Sequence, residues 1–119
     1  MLLNGRLAYH EYEGIALDLE ERARLVRDLG DKPAMILRNH GTLAVGRSVG
    51  DAFQTMYFLE RACAIQLAAQ SGGTPLVYPA DAVQSLVAQQ AAGFGDVADR
   101  LLWPALLRRL DRIDPSYRD

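Results

Sequence analysis

Two histidines are the side chains of this 119-residue chain best suited to chemistry, and one of them, His40, stands in the run Leu37-Arg38-Asn39-His40-Gly41-Thr42-Leu43-Ala44-Val45-Gly46. An imidazole offers a ring nitrogen to a metal ion or accepts a proton near neutral pH, so a histidine fixed at a tight turn can face a cleft. The run supplies such a turn. Ala34 to Leu37 is short and apolar, Asn39-His40-Gly41 carries turn signals, and Leu43-Ala44-Val45 resumes an apolar run, which together read as a hairpin. Gly41 is the residue expected to take the positive φ of that turn. A lone turn histidine is as a rule a surface or hydrogen-bonded residue, and His40 needs neighbours before it can be a ligand. The other histidine, His10, follows the strand-like Arg6 to Tyr9 run, and strand pairing can bring it near His40. Histidines so placed more often face solvent or a carboxylate. Tyr12 and Glu13 read as strand-end and loop residues holding a turn at Gly14, and no general acid or base is assigned, because that needs a cleft and a shifted pKa.

The elements that must hold these residues are short. Strands are expected near Arg6 to Tyr9, Ala34 to Arg38 and Thr42 to Val45. Asp18 followed three residues later by Glu21 has the pattern of a capping box, opening a helix that carries Ala23, Leu25, Val26 and Leu29 and stops at Gly30. Ser48 and Asp51 repeat the pattern ahead of a long second helix. There Ala52, Met56, Leu59, Cys63 and Leu67 form one apolar stripe, and Phe53, Tyr57, Ala64 and Ala68 form another beside it. Core burial is the plainer assignment for so wide a face, and contact with another subunit is the alternative. Gly72-Gly73-Thr74-Pro75 ends the helix, Asp81 to Ala92 has helical composition, and Gly93-Phe94-Gly95 interrupts it. A last helical stretch from about Val97 to Ile113 contains Pro104, either a fresh start or a kink. Its Arg108, Arg109 and Arg112, interleaved with Asp111 and Asp114, read as a solvated face and not a phosphate site. Three strands make a sheet with bare edges that need a partner or a cover.

Composition narrows the function classes. With 50% hydrophobic residues the chain can bury one core, so residues 1–119 are expected to form a single domain. A net charge of −2 gives no general attraction to nucleic acid or to an anionic membrane. The single cysteine, Cys63, forbids an internal disulfide, falls among apolar helix positions and is expected to be buried and inert. No segment has the length and apolarity of a membrane span and the amino end lacks leader character, from which a cytoplasmic location is expected.

Asn39-His40-Gly41-Thr42-Leu43 with Val45-Gly46, the helix Ala52-Phe53-Gln54-Thr55-Met56-Tyr57-Phe58-Leu59-Glu60-Arg61-Ala62 and the upstream Tyr9-His10-Glu11-Tyr12-Glu13-Gly14-Ile15-Ala16 resemble the C-terminal half of the class II aldolase/adducin family. The tail, Trp103-Pro104-Ala105-Leu106-Leu107-Arg108-Arg109-Leu110-Asp111-Arg112 and Asp114-Pro115-Ser116-Tyr117-Arg118, is similar to its adducin-like bacterial branch, so the likeness spans nearly the whole chain. The resemblance implies an α/β (α+β) fold: part of a three-layer architecture in which a small, mainly antiparallel sheet is covered by helices. It also implies metal-dependent aldol cleavage or epimerisation of small hydroxy-carbonyl or sugar-phosphate compounds, with zinc or another divalent ion held by an upstream His-x-His pair and a third histidine that falls on His40. An upstream glutamate serves the family as ligand or base, and a tyrosine acid reaches a neighbouring subunit's site. Tyr117 is the tail's tyrosine, though no local motif secures that match.

No His-x-His occurs in this chain. A catalytic zinc needs about three protein ligands, so His40 by itself is not expected to hold a metal and the chain alone is expected to bind none. Residues 1–119 are therefore expected to be the C-terminal portion of the family domain, acting as a homo-oligomer or with a complementing N-terminal half. The alternatives are a non-catalytic assembly module, as in the adducin head, or an inactive truncated fragment.

Overall fold

The protein is described by a computed structural model over residues 3–15, 18–93 and 96–118. Phe94, Gly95 and Ala16 of the sequence reading lie outside these residues. The chain runs β1 (Leu7–His10), α1 (Glu21–Leu29), β2 (Ala34–Leu37), β3 (Gly41–Ala44), α2 (Val49–Ser71), α3 (Asp81–Ala92), a π-helical turn (Ala98–Leu102), α4 (Trp103–Ile113) and a 3-10 turn (Pro115–Arg118). This is a mixed α/β fold in which helices flank a small three-stranded sheet.

The sheet order is β1-β2-β3. β2 and β3 form the expected antiparallel hairpin, with Leu37 opposite Gly41 and Ala34 opposite Ala44. β1 pairs with β2 in parallel, Leu7 opposite Ala34 and His10 opposite Leu37. The described sheet is thus half parallel where the family likeness suggests mainly antiparallel pairing. The reason lies in the connection: parallel neighbours need a crossover, and α1 is the crossover between β1 and β2. In the central strand Ala34 and Met35 are both fully buried, and since adjacent strand residues point to opposite faces, β2 is covered on both sides. α1 packs on β1, while α2 packs on β3 and β2 and carries the π-helical turn on its flank.

Local chemistry explains the element ends, with two corrections. The His40 N–H donates to the Leu37 carbonyl at 3.0 Å, so the turn spans residues 37–40 and its third position is Asn39, at φ 55°. Asn39, not Gly41, takes the positive φ, because the hydrogen bond leaves Gly41 as the first residue of β3; asparagine is the usual substitute for glycine at that position. Asp18 does not close a capping box with Glu21. Its Oδ1 accepts from the Glu20 N–H at 2.9 Å and its carbonyl from the Glu21 N–H, a local turn that frees the Glu21 side chain for the sheet side. At α2 the expected cap forms: Ser48 Oγ accepts from the Asp51 N–H at 3.0 Å, and Asp51 reaches back to the Arg47 N–H. Gly30, at φ 57°, ends α1. Pro104 marks a fresh start, since α4 begins at Trp103 straight after the π-helical turn.

The core is small. Among the described residues the buried apolar side chains are Ala8, Ala34, Met35, Leu59 and Ala98. Cys63 is half-buried and not enclosed, and the second stripe of α2 is open at Phe53 and Tyr57. Core burial therefore fails as the account of that face. The radius of gyration, 17.0 Å, exceeds the roughly 13.5 Å of a compact chain of this length.

Candidate functional site

Strand alternation decides which way His10 points. In β1, Ala8 and His10 are buried while Tyr9 between them is half-exposed, its ring under the Arg38 guanidinium at 5.2 Å. The buried face of β1 meets α1, whose inward residues Glu21, Arg24, Leu25, Asp28 and Leu29 recur at helical spacing. Three of these five are charged. Charges on an inward face persist only when paired, and here they are arranged around His10 and the loop that follows it.

His10 Nδ1 lies 2.8 Å from Asp28 Oδ2. Asp28 also accepts from Arg27 Nε at 2.9 Å, and the His10 contact, then Arg27, hold its carboxyl below the ordinary value, so it is a carboxylate at neutral pH. A neutral His10 ring bonded this way carries its proton on Nδ1 and leaves a lone pair on Nε2. That second nitrogen is buried and, among the described residues, has no hydrogen-bond partner. It points between two carboxylates, 3.8 Å from Glu13 Oε1 and 3.6 Å from Glu21 Oε1, distances too long for hydrogen bonds. Glu13 is gripped by Arg24 at 2.5 to 3.0 Å, and this bond holds the Glu13 carboxyl below its usual range. Arg24 also donates to Asp18 Oδ2 at 2.9 Å; Asp18 is lowered first by its bond from the Glu20 N–H and then by Arg24.

His40 is exposed on its turn, its ring 6.4 Å from that of Tyr12. It and His10 line one cavity of about 50 Å³, together with Tyr12, Glu13, Glu21 and Arg38. The sequence-level idea that strand pairing could bring the two histidines to one place thus holds at the level of the cleft. They do not share a donor set. Among the described residues, the grouping of three or more histidine, cysteine or carboxylate donors is His10, Glu13 and Glu21, and His40 is outside it. The residues present therefore do not assemble the three-imidazole centre that the family likeness implies. Nor does a cavity of this size take a sugar phosphate, whose sites run to several hundred Å³.

Sequence reasoning missed Glu21 and Asp28 and placed Glu13 only as a loop residue. The signal was present: Glu21, Arg24 and Asp28 lie at i, i+3 and i+7 of one helix, and His10 falls on the alternate residue of a strand after Ala8. Tyr117 is half-exposed and donates to Asp111 Oδ1 at 2.6 Å, and this bond, with Arg118, lowers the Asp111 carboxyl.

Comparison with known proteins fits this arrangement into a family. Residues 1–67, which carry the sheet, α1 and most of α2, match the class II aldolase and adducin N-terminal domain. A "Putative aldolase class 2 protein" of Caulobacter vibrioides is 50% identical over 116 residues, covering 96% of this chain and 45% of that protein. Alpha-adducin of Rattus norvegicus is 46% identical over 72 residues, 58% of this chain and 10% of its own length. A crystal structure of an aldolase II superfamily protein from Pseudomonas syringae superposes with a TM-score of 0.89 at 54% identity, over 99% of this chain and 48% of that one. The chain spans about half the length of the bacterial relative it matches. With the His10 strand, the His40 turn and most of α2 inside the matched region, the chain belongs to the class II aldolase and adducin family.

Proposed function

We propose that this chain is part of a class II aldolase-type enzyme that cleaves or epimerises small hydroxy-carbonyl or sugar-phosphate compounds with the help of a divalent metal ion. Its contribution is His40, one ligand of a centre whose other imidazoles come from outside residues 1–119. The observation that carries this reading is the β2–β3 hairpin: the bond from the His40 N–H to Leu37 and the positive φ of Asn39 fix the turn, and His40 is exposed there and lines the cleft it shares with His10. An exposed ring on a fixed turn is open to a metal whose remaining ligands come from another segment. Residues 1–119 are on this reading the C-terminal portion of the family domain, working as a homo-oligomer.

A second reading, a non-catalytic assembly module of adducin type, is favoured by the exposed apolar faces of α2 and α3, including Ile65 and Leu67 at 62% and 68% exposure. The two readings separate in an assay of aldehyde release and epimer formation on a panel of phosphorylated and free hydroxy-carbonyl compounds, using the natural full-length polypeptide. The enzyme reading expects turnover that a chelator abolishes and that His40→Ala lowers about 100-fold or more. A folded protein with no turnover on any member of the panel, unchanged by added zinc or manganese, would leave the assembly reading.

A further inference from the structure

We infer that His10, Glu13 and Glu21 form a second divalent-metal site of zinc type, independent of His40, in which Asp28 orients the histidine ligand. The site joins the end of β1, the loop after it and the first turn of α1.

Four observations carry this. The three donor atoms lie within 4.8 Å of one another. The two distances from His10 Nε2, 3.6 and 3.8 Å, stand a few tenths of an ångström above the roughly 3.3 Å edge of a tetrahedron built on metal–ligand bonds of about 2.0 Å. A small inward movement of two glutamate side chains closes that gap. Nε2 belongs to a ring that is 97% buried, yet among the described residues it has no hydrogen-bond partner, and it aims at the space between the carboxylates. A buried nitrogen left unpaired is destabilising, so an occupant that accepts its lone pair is favoured there. Finally, the 2.8 Å contact from Nδ1 to Asp28 is the carboxylate–histidine arrangement that fixes the tautomer and turns the other nitrogen to a metal.

Charge and access agree. Two carboxylates and a neutral imidazole offset a dication. A carboxylate has about four lone-pair positions, so Glu13 can serve a metal while it still holds Arg24. The cavity of about 50 Å³ opens to these donors and leaves a fourth position for water. One imidazole with two carboxylate oxygens is a mixed set that suits zinc and its first-row neighbours better than calcium.

The test is a calorimetric titration of the metal-stripped 119-residue chain with zinc chloride, with circular dichroism confirming that each variant is folded. One zinc per chain with a micromolar or tighter dissociation constant is expected. Glu21→Gln should weaken binding at least 10-fold, and Asp28→Asn about 10- to 100-fold through the orienting bond. His40→Ala should leave binding within about 2-fold, which separates this site from the proposed family centre. Cobalt substitution gives a second readout: visible absorption of a four-coordinate ion in the parent, lost in His10→Gln. If His10→Gln does not fold, Glu21→Gln and Asp28→Asn decide. A folded parent chain that takes up no stoichiometric zinc, or zinc lost in His40→Ala and retained in Glu21→Gln, would overturn the inference.

Discussion

Asp28 is the residue on which the arrangement around His10 turns, because it both bonds the imidazole and stands on the inward face of α1. Its carboxyl is held below the ordinary 3.8 by His10 and then by Arg27. A carboxyl more acidic in the folded state than in the unfolded chain stabilises the fold above its unfolded pKa, and that contribution is lost as the pH falls through the folded value. The melting temperature of the parent should therefore exceed that of Asp28→Asn by its full margin at pH 7, and the margin should shrink below about pH 4. Thermal melts of both proteins across that range check this, and a margin independent of pH would contradict it. At this scale the sequence was only half legible. His40 and its turn could be read because glycine, asparagine and apolar runs mark hairpins locally. The partners of His10 could not, since they lie 3, 11 and 18 residues away on a loop and a helix, and only the crossover packing of α1 on β1 brings them together.

β3 hands over to α2 through a close backbone approach at Gly46. A Cβ added to Gly46 would stand 2.5 Å from the Ala52 nitrogen, 2.9 Å from the Asp51 carbonyl carbon and 3.0 Å from the Ala52 Cα, all backbone of the first turns of α2. Backbone cannot move aside as a side chain can. Gly46→Ala is therefore expected to cost about 1–3 kcal/mol in urea unfolding, the range for overpacking a close contact, and an unchanged midpoint would show that the turn has slack. The helix termini at Gly30 and Ser48 were readable beforehand, because caps depend on a few adjacent residues. The parallel pairing of β1 with β2 was not, since direction is set by a crossover of 23 residues and not by the strands themselves. The same holds for Asp18, which satisfies its own neighbours and leaves Glu21 to the sheet side.

The molecule as a whole exposes more apolar surface than a solitary chain of this kind normally does. Ile65, Leu67, Val77, Leu86 and Ile113 are each at least half open, α3 makes no substantial contact with another element among the described residues, and the chain is wider than a compact one of its length. No helix of the described residues is long and apolar enough to cross a membrane. Such a surface fits burial against further copies or further chain, as the proposed homo-oligomer requires. The width of the apolar face of α2 was visible in the sequence, but not its exposure, because periodicity shows that a face is apolar and leaves open what covers it. Native mass spectrometry of the natural full-length polypeptide, parent beside His40→Ala, reads assembly and metal in one spectrum. The account predicts a defined oligomer that carries bound divalent metal and, in His40→Ala, the same oligomer with one metal ion fewer per chain. A monomer, or a metal count that His40→Ala leaves unchanged, would contradict it.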